Sequence, residues 1–262
     1  MQKLNLKQAA KMAAKRQHDV PYELFSAMSK RGISLTNKIA VDMGCGIGAL
    51  TRELSKRGAL AIGIDSARST LEEAKSFPSS ERIQYIEASG EKTGLQTSSI
   101  DVITIMRAWQ EFNRSRAIKE INRILTSRGY VMIMDGGFLP RDPLIKETFQ
   151  LIQPYMPTNL FRKELSKNEL KSATDLLPIE WYKEWQDGGL HVIDTSRIEY
   201  SVSYSTEEWC GRVYSLSWLQ HLPEAIRDQL LEELYLKLHT QDPHANHRVL
   251  HGCNMVILRK AK

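Results

Sequence analysis

The stretch Val41-Asp42-Met43-Gly44-Cys45-Gly46-Ile47-Gly48 sets three glycines at alternate positions, just after an acid in an apolar run. Glycine has no Cβ and tolerates positive φ, so such a loop turns sharply and lets its backbone touch a ligand. It leads into a helix N-terminus whose first N–H groups have no partner within the helix, and these suit a carboxylate or a phosphate. Asp65 closes the next apolar run, where an acid accepts hydrogen bonds from both ribose hydroxyls. Asp42 precedes Gly44 where a nicotinamide-binding fingerprint keeps an apolar residue; an acid there receives an ammonium group, directly or through water. The loop and both acids together fit an amino-acid nucleoside. Gly44-x-Gly46-x-x-Ala49 also reads as a nicotinamide fingerprint, which would make a dehydrogenase. Against it stand Asp42 and the lack of a Tyr-x-x-x-Lys pair.

Strands and helices must alternate to hold these residues. The pattern predicts strands at Lys38–Met43, Leu60–Asp65, Ile83–Ala88, Ile100–Met106 and Tyr130–Asp135. Helices fall at Ala49–Arg57, Thr70–Phe77 and Arg114–Leu125. This is an α/β chain with a mostly parallel, doubly wound sheet and right-handed crossovers. After Gly136-Gly137 the prolines at 140, 143, 154, 157 and 178 punctuate helical pieces. Residues 138–190 therefore read as a mainly helical lid inserted into a domain made of 1–137 and 191–262. His191–Ser205 alternates as a half-exposed strand. Thr206 is placed as N-cap of a helix over Glu207–Leu222, Pro223 opens a helix over Glu224–His239, and Val249–Arg259 is the seventh strand. Residues 1–20 read as a helix with Lys3, Lys7, Lys11 and Lys15 along one side: a solvated face, or a basic arm for RNA or an acidic partner.

VDMGCGIGALT resembles the first motif of the class I S-adenosylmethionine-dependent methyltransferases, and AIGIDSA their second-strand motif. EASGEKTGLQTSSIDVITIMRAWQEF is similar to the segment that follows in that family. The resemblance implies a seven-stranded class I fold and S-adenosyl-L-methionine as cofactor. The cofactor residues it implies are Asp42, Gly44, Cys45, Gly46, Gly48, Asp65, Ser66, Ser89, Gly90, Glu91, Met106 and Arg107. Ser89 departs from the pattern, which usually has Asp there beside the adenine. Within the type 11 methyltransferases, MRAWQEF, VPYELF and the late segment from Glu207 to Ser217 resemble the trans-aconitate-methyltransferase-like branch. An arginine usually lies upstream of its entry segment, and Arg16 is near that place.

Methyl transfer to a carboxylate needs no general base, whereas an amine or hydroxyl acceptor usually does. No base stands beside the motif, and His18 is the only histidine before His191. This favours a small-molecule carboxylate, gripped by arginine. Arg107, Arg162 and Arg212 are the candidates, with Arg107 first because it ends a parallel strand. Trp109 and Gln110 are further substrate-positioning candidates. The tryptophans Trp109, Trp181, Trp185, Trp209 and Trp218 serve core or lid packing, and one or two could line the acceptor pocket. The alternative acceptors are tRNA and an acyl group on an acidic carrier protein. A catalytically silent cofactor binder is the remaining alternative.

The chain has 262 residues, 42% of them hydrophobic, with net charge +5 and a pI near 9.0, a mild basicity unlike that of a dedicated nucleic-acid binder. Cys45, Cys210 and Cys253 form no CxxC pair, so no disulfide framework is expected and the cytoplasm is the default. No run is long enough for a membrane helix, and the N-terminus has no apolar signal core. His244, His247 and His251, with Cys253 nearby, are placed in a loop running into a strand; they share no helix face, and no metal site is expected.

Overall fold

The computed structural model describes residues 20–156, 177–216, 219 and 221–261. Helix α1 spans Tyr22–Lys30. Strand β1 (Ile39–Met43) leads to α2 (Ala49–Lys56), and β2 (Leu60–Asp65) leads to α3 (Arg68–Ser76). Then come β3 (Ile83–Glu87), β4 (Ile100–Met106), α4 (Arg114–Ile124) and β5 (Leu125–Phe138). The chain continues through α5 (Pro143–Ile152), α6 (Ile179–Asp187), β6 (Leu190–Ser205) and α7 (Thr206–Tyr214). Helix α8 (Glu224–Gln241) and strand β7 (Asn246–Lys260) complete it.

The seven strands form one sheet in the order β3-β2-β1-β4-β5-β7-β6. From β3 to β5 every neighbouring pair is parallel. This is the mostly parallel sheet that the alternation predicts. β1 and β4 are apolar nearly throughout because a central parallel strand is covered on both faces. The order reverses between β1 and β4, so their carboxyl ends form the switch point where open α/β sheets bind ligands.

The chain divides into two compact units. Among the described residues one holds 20–136, 177–198 and 253–261, with a core of Met43, Ile64, Ile103, Ile105, Ile133, Trp109 and Trp185. The other holds 137–156 and 199–252 as far as described, with a core around Phe138, Ile145, Tyr204, Trp209, Leu230 and Leu234. Among the described residues no helix is long and apolar enough to cross a membrane.

Several boundaries differ from the sequence pattern. β5 starts directly after α4 rather than at Tyr130, and its pairing with β4 shifts register between Ile100 and Val102 to absorb the extra residues. Helix α7 is capped by Ser205 instead of Thr206: Ser205 and Glu208 each bond the other's backbone N–H, a capping box. The Thr206 hydroxyl bonds His247 Nε2 instead, at 3.0 Å. α7 also stops at Tyr214, well short of Leu222. β7 begins at Asn246 rather than Val249, so His247 joins His251 in the strand. Helix α1 was visible only as the VPYELF motif. The basic segment before Asp19, Arg16, His18, Arg162 and Trp218 lie outside the described residues.

Candidate cofactor site

Gly44, Gly46 and Gly48 have φ of +73°, +53° and +76°, the left-handed region that glycine adopts without strain. Gly44 N and Cys45 N both donate to Ile64 O on β2, at 2.8 and 2.9 Å, which pins the loop across the sheet edge. Helix α2 then starts from Gly48 with no side-chain cap on that residue; the Thr51 N–H goes to the Asp42 carboxylate, and the N–H groups before it face the loop end where an anion would sit. A Cβ at Gly46 would meet nothing within 4 Å, so this face of the loop is open. A Cβ at Gly44 would stand 2.4 Å from Ala108 Cβ, so the residues after β4 press against the loop.

The two acids differ sharply. Asp65 is half-buried, and its carboxylate accepts from Gly46 N and Ala67 N, both at 2.9 Å, spanning exposed Ser66. Asp42 is 2% exposed. Thr51 donates to its Oδ2 at 2.7 Å and Thr104 to its Oδ1 at 3.1 Å. Burial raises its pKa to about 6, against the lowering by those hydroxyls. Thr51 and Thr104 are missing from the sequence reading. Thr104 had a signal: a polar residue within an apolar strand, in register with Asp42.

Behind the loop stands another unpredicted residue, Tyr85 on β3, paired in register with Gly63. A Cβ on Gly63 would meet its ring at 2.7 Å, and one on Gly48 its hydroxyl at 2.2 Å. Cys45 is half-buried and desolvation pushes its thiol far up, so it is a filler and not a nucleophile. At the turn after β3, Ser89 is half-buried and Gly90 buried. A Cβ on Gly90 would stand 2.9 Å from the Phe112 ring. Glu91 Oε1 accepts from Asn113 N at 2.7 Å.

At the end of β4, Met106 is half-buried and Arg107 exposed. Arg107 has φ +58°, a strained value for a residue with a Cβ. Gln110 Nε2 donates to its carbonyl at 2.8 Å. Trp109, named above for substrate positioning, requires correction: it is 1% exposed and packs in the core beside Phe112 and Trp185, centroids 6.2 and 6.0 Å away. Arg212 belongs to the other unit, with its guanidinium 5.3 Å from the Phe138 ring centroid. His251 is buried there, its Nδ1 3.0 Å from Val249 O. A carbonyl only accepts, so Nδ1 carries the hydrogen. Among the described residues no group of three metal-ligating side chains converges.

An uncapped helix N-terminus and two carboxylates beside an open loop form a donor and acceptor set that fits a carboxylate, an ammonium and a ribose diol. Residues 41–133 match the family model described as a methyltransferase domain. The chain is 29% identical over 101 residues to a protein of Dictyostelium discoideum assigned as a methyltransferase, covering 38% of this chain and 37% of that one. It is 24% identical over 150 residues to an uncharacterized methyltransferase of Bacillus subtilis, covering 55% and 59%. The chain thus spans less than two thirds of the length of these curated relatives. A ubiquinone biosynthesis O-methyltransferase of Coxiella burnetii is 24% identical over 170 residues, covering 64% and 70%. The fold is similar to that of a protein from Anaeromyxobacter dehalogenans assigned as a type II methyltransferase, with TM-score 0.67 and 18% identity over 91% of this chain and 96% of that one. By its fold and by the match over residues 41–133, this chain is similar to the class I methyltransferases, whose cofactor is S-adenosylmethionine.

Proposed function

We propose that the chain transfers the methyl group of S-adenosylmethionine to a small-molecule acceptor that carries a carboxylate. The observation that carries this reading is the open Gly46 face between Asp65 and the uncapped start of α2, at the β1/β4 switch point. Asp65 would take the ribose hydroxyls, and the first N–H groups of α2 the methionine carboxylate. Asp42 would set the field for the ammonium from beneath, through Thr51 and Thr104. When bound, the cofactor supplies an already activated methyl group, so the protein's work is alignment and exclusion of water. Arg107 would grip the acceptor's carboxylate, a pairing that arginine's planar fork favours. The ubiquinone-pathway relative supports an acceptor of small-molecule size.

The test is calorimetric binding of S-adenosylhomocysteine, followed by transfer of labelled methyl to a panel of small acids. Label in a small acidic product is the expected result. Label in RNA or protein, with binding that falls steeply with salt, would replace the small-molecule reading. No binding of S-adenosylhomocysteine would end it.

Asp42 adds a pH signature. Its folded pKa of about 6 lies above the ordinary aspartate value of 3.8, so its contribution to stability is fully present below 3.8 and lost as pH rises through about 6. A cofactor cation draws on the ionised form. The affinity for S-adenosylhomocysteine should therefore be flat above neutrality and fall by up to about tenfold per pH unit below the Asp42 pKa. An affinity constant across the acidic range would remove Asp42 from cation binding.

A further inference from the structure

Where β4 ends, its neighbour β5 brings an opposite charge to the same level of the sheet. Parallel pairing sets Met106 against Met134, and Arg107 N donates to Met134 O at 2.8 Å. The next residue along β5, Asp135, therefore follows that register beside Arg107, and β5 runs on to Phe138. Asp135 is half-buried and accepts from its neighbour Gly136 N at 2.9 Å, while Arg107 is exposed. Burial pushes the Cys253 thiol on β7 up to about 12, with the Arg107 charge drawing it down and the Asp135 charge pushing it up further. The edge adjoins the cofactor loop, because Ala108 follows Arg107 and abuts Gly44.

An arginine by itself would accept any carboxylate. A neighbouring carboxylate changes the selection, since it repels an incoming anion that brings nothing to offset it. An anion that also carries an O–H or N–H donor can bond to both side chains. We propose that Asp135 is a specificity-determining residue of the acceptor site, so that the acceptor is a hydroxy or amino acid: its carboxylate goes to Arg107 and its hydroxyl or ammonium to Asp135. This rests on the function proposed above and narrows its substrate class. A site built to hydrogen-bond a substrate group rejects the analogue that lacks it far more strongly than an apolar pocket rejects a missing methylene.

The experiment titrates the protein saturated with S-adenosylhomocysteine by calorimetry. The probes are short aliphatic acids, each supplied plain and in its α-hydroxy and α-amino forms. Wild type should bind a substituted form about tenfold or more tightly than the plain acid. Asp135→Asn should lose most of that preference while its affinity for the plain acid is unchanged or improved. Arg107→Gln should weaken all forms together. Titration of S-adenosylhomocysteine into each variant checks that the cofactor site stands, and Asp135→Ser serves if the asparagine variant does not fold. Equal affinity for plain and substituted acids in wild type, or a preference that survives Asp135→Asn, overturns the assignment alone. Binding of S-adenosylhomocysteine with no acid bound in any form overturns the carboxylate reading, and the assignment with it.

Discussion

Gly44→Ala should abolish cofactor binding, raising the dissociation constant of S-adenosylhomocysteine at least about a hundredfold, and should also weaken the fold. Two costs add at this position. The new side chain must sit at φ +73°, which costs about 1–2 kcal/mol for an L-residue. Its Cβ also lands 2.4 Å from Ala108 Cβ, and overpacking of that kind costs about 1–3 kcal/mol. Relief requires the loop or the turn bearing Ala108 to move, and moving the loop stretches the bond from Gly44 N to Ile64 O. Gly46→Ala is the control, since its φ of +53° carries a backbone cost but its Cβ would meet nothing within 4 Å. It should melt between Gly44→Ala and wild type, by the backbone cost alone, and lose affinity through that cost and its contact with ligand. Thermal melts and calorimetry on both variants measure the difference, and a Gly44→Ala protein that binds like wild type would contradict the placement of the loop.

The second large effect is expected from Asp65→Ala, which should cost about a hundredfold in affinity with a smaller loss of stability. The substitution removes the acceptors of Gly46 N and Ala67 N, and charge-assisted bonds of this sort contribute about 1.5–3 kcal/mol each where buried. Asp65 is half-buried, so water takes over part of that role in the free protein, and the stability loss should fall below the sum. A ribose diol has no such substitute. The check is ligand-induced stabilisation: wild type should melt higher with saturating S-adenosylhomocysteine, and the variant should show little shift. A full shift in Asp65→Ala would mean that the ribose is held elsewhere.

The motif residues were legible because their chemistry is local. Glycines at Gly44, Gly46 and Gly48 announce positive φ, and an acid closing an apolar run, as Asp65 does, announces a strand end facing solvent. The alternation of β1 to β5 with helices was legible for the same reason. What supports these residues was not, because it comes from across the sheet. Thr104 is far from Asp42 in sequence and meets it through the β1–β4 register. Tyr85 looks like one more strand residue until β3 pairs with β2. Trp109 failed in the opposite sense: it sits beside Arg107 in sequence, but the turn after β4 points its ring into the core. The start of α7 was misplaced because Ser205 and Glu208 close a reciprocal cap, and that of β7 because the strand already takes in Asn246 and His247.

Tyr85 ties the identities of three distant positions together. Its ring fills the volume that a side chain on Gly63 or Gly48 would need. Alanine at either glycine is barred while the tyrosine remains, and a smaller residue at position 85 would leave a hollow under the loop. The three positions can therefore change only in concert during divergence or redesign. Position 48 keeps a second requirement, φ +76°, that no change at 85 relaxes. Gly63 carries no such backbone demand, but a Cβ there would also stand 3.0 Å from Cys45 Sγ, so bulk exchanged between positions 63 and 85 across the β2–β3 ladder is felt by the loop as well.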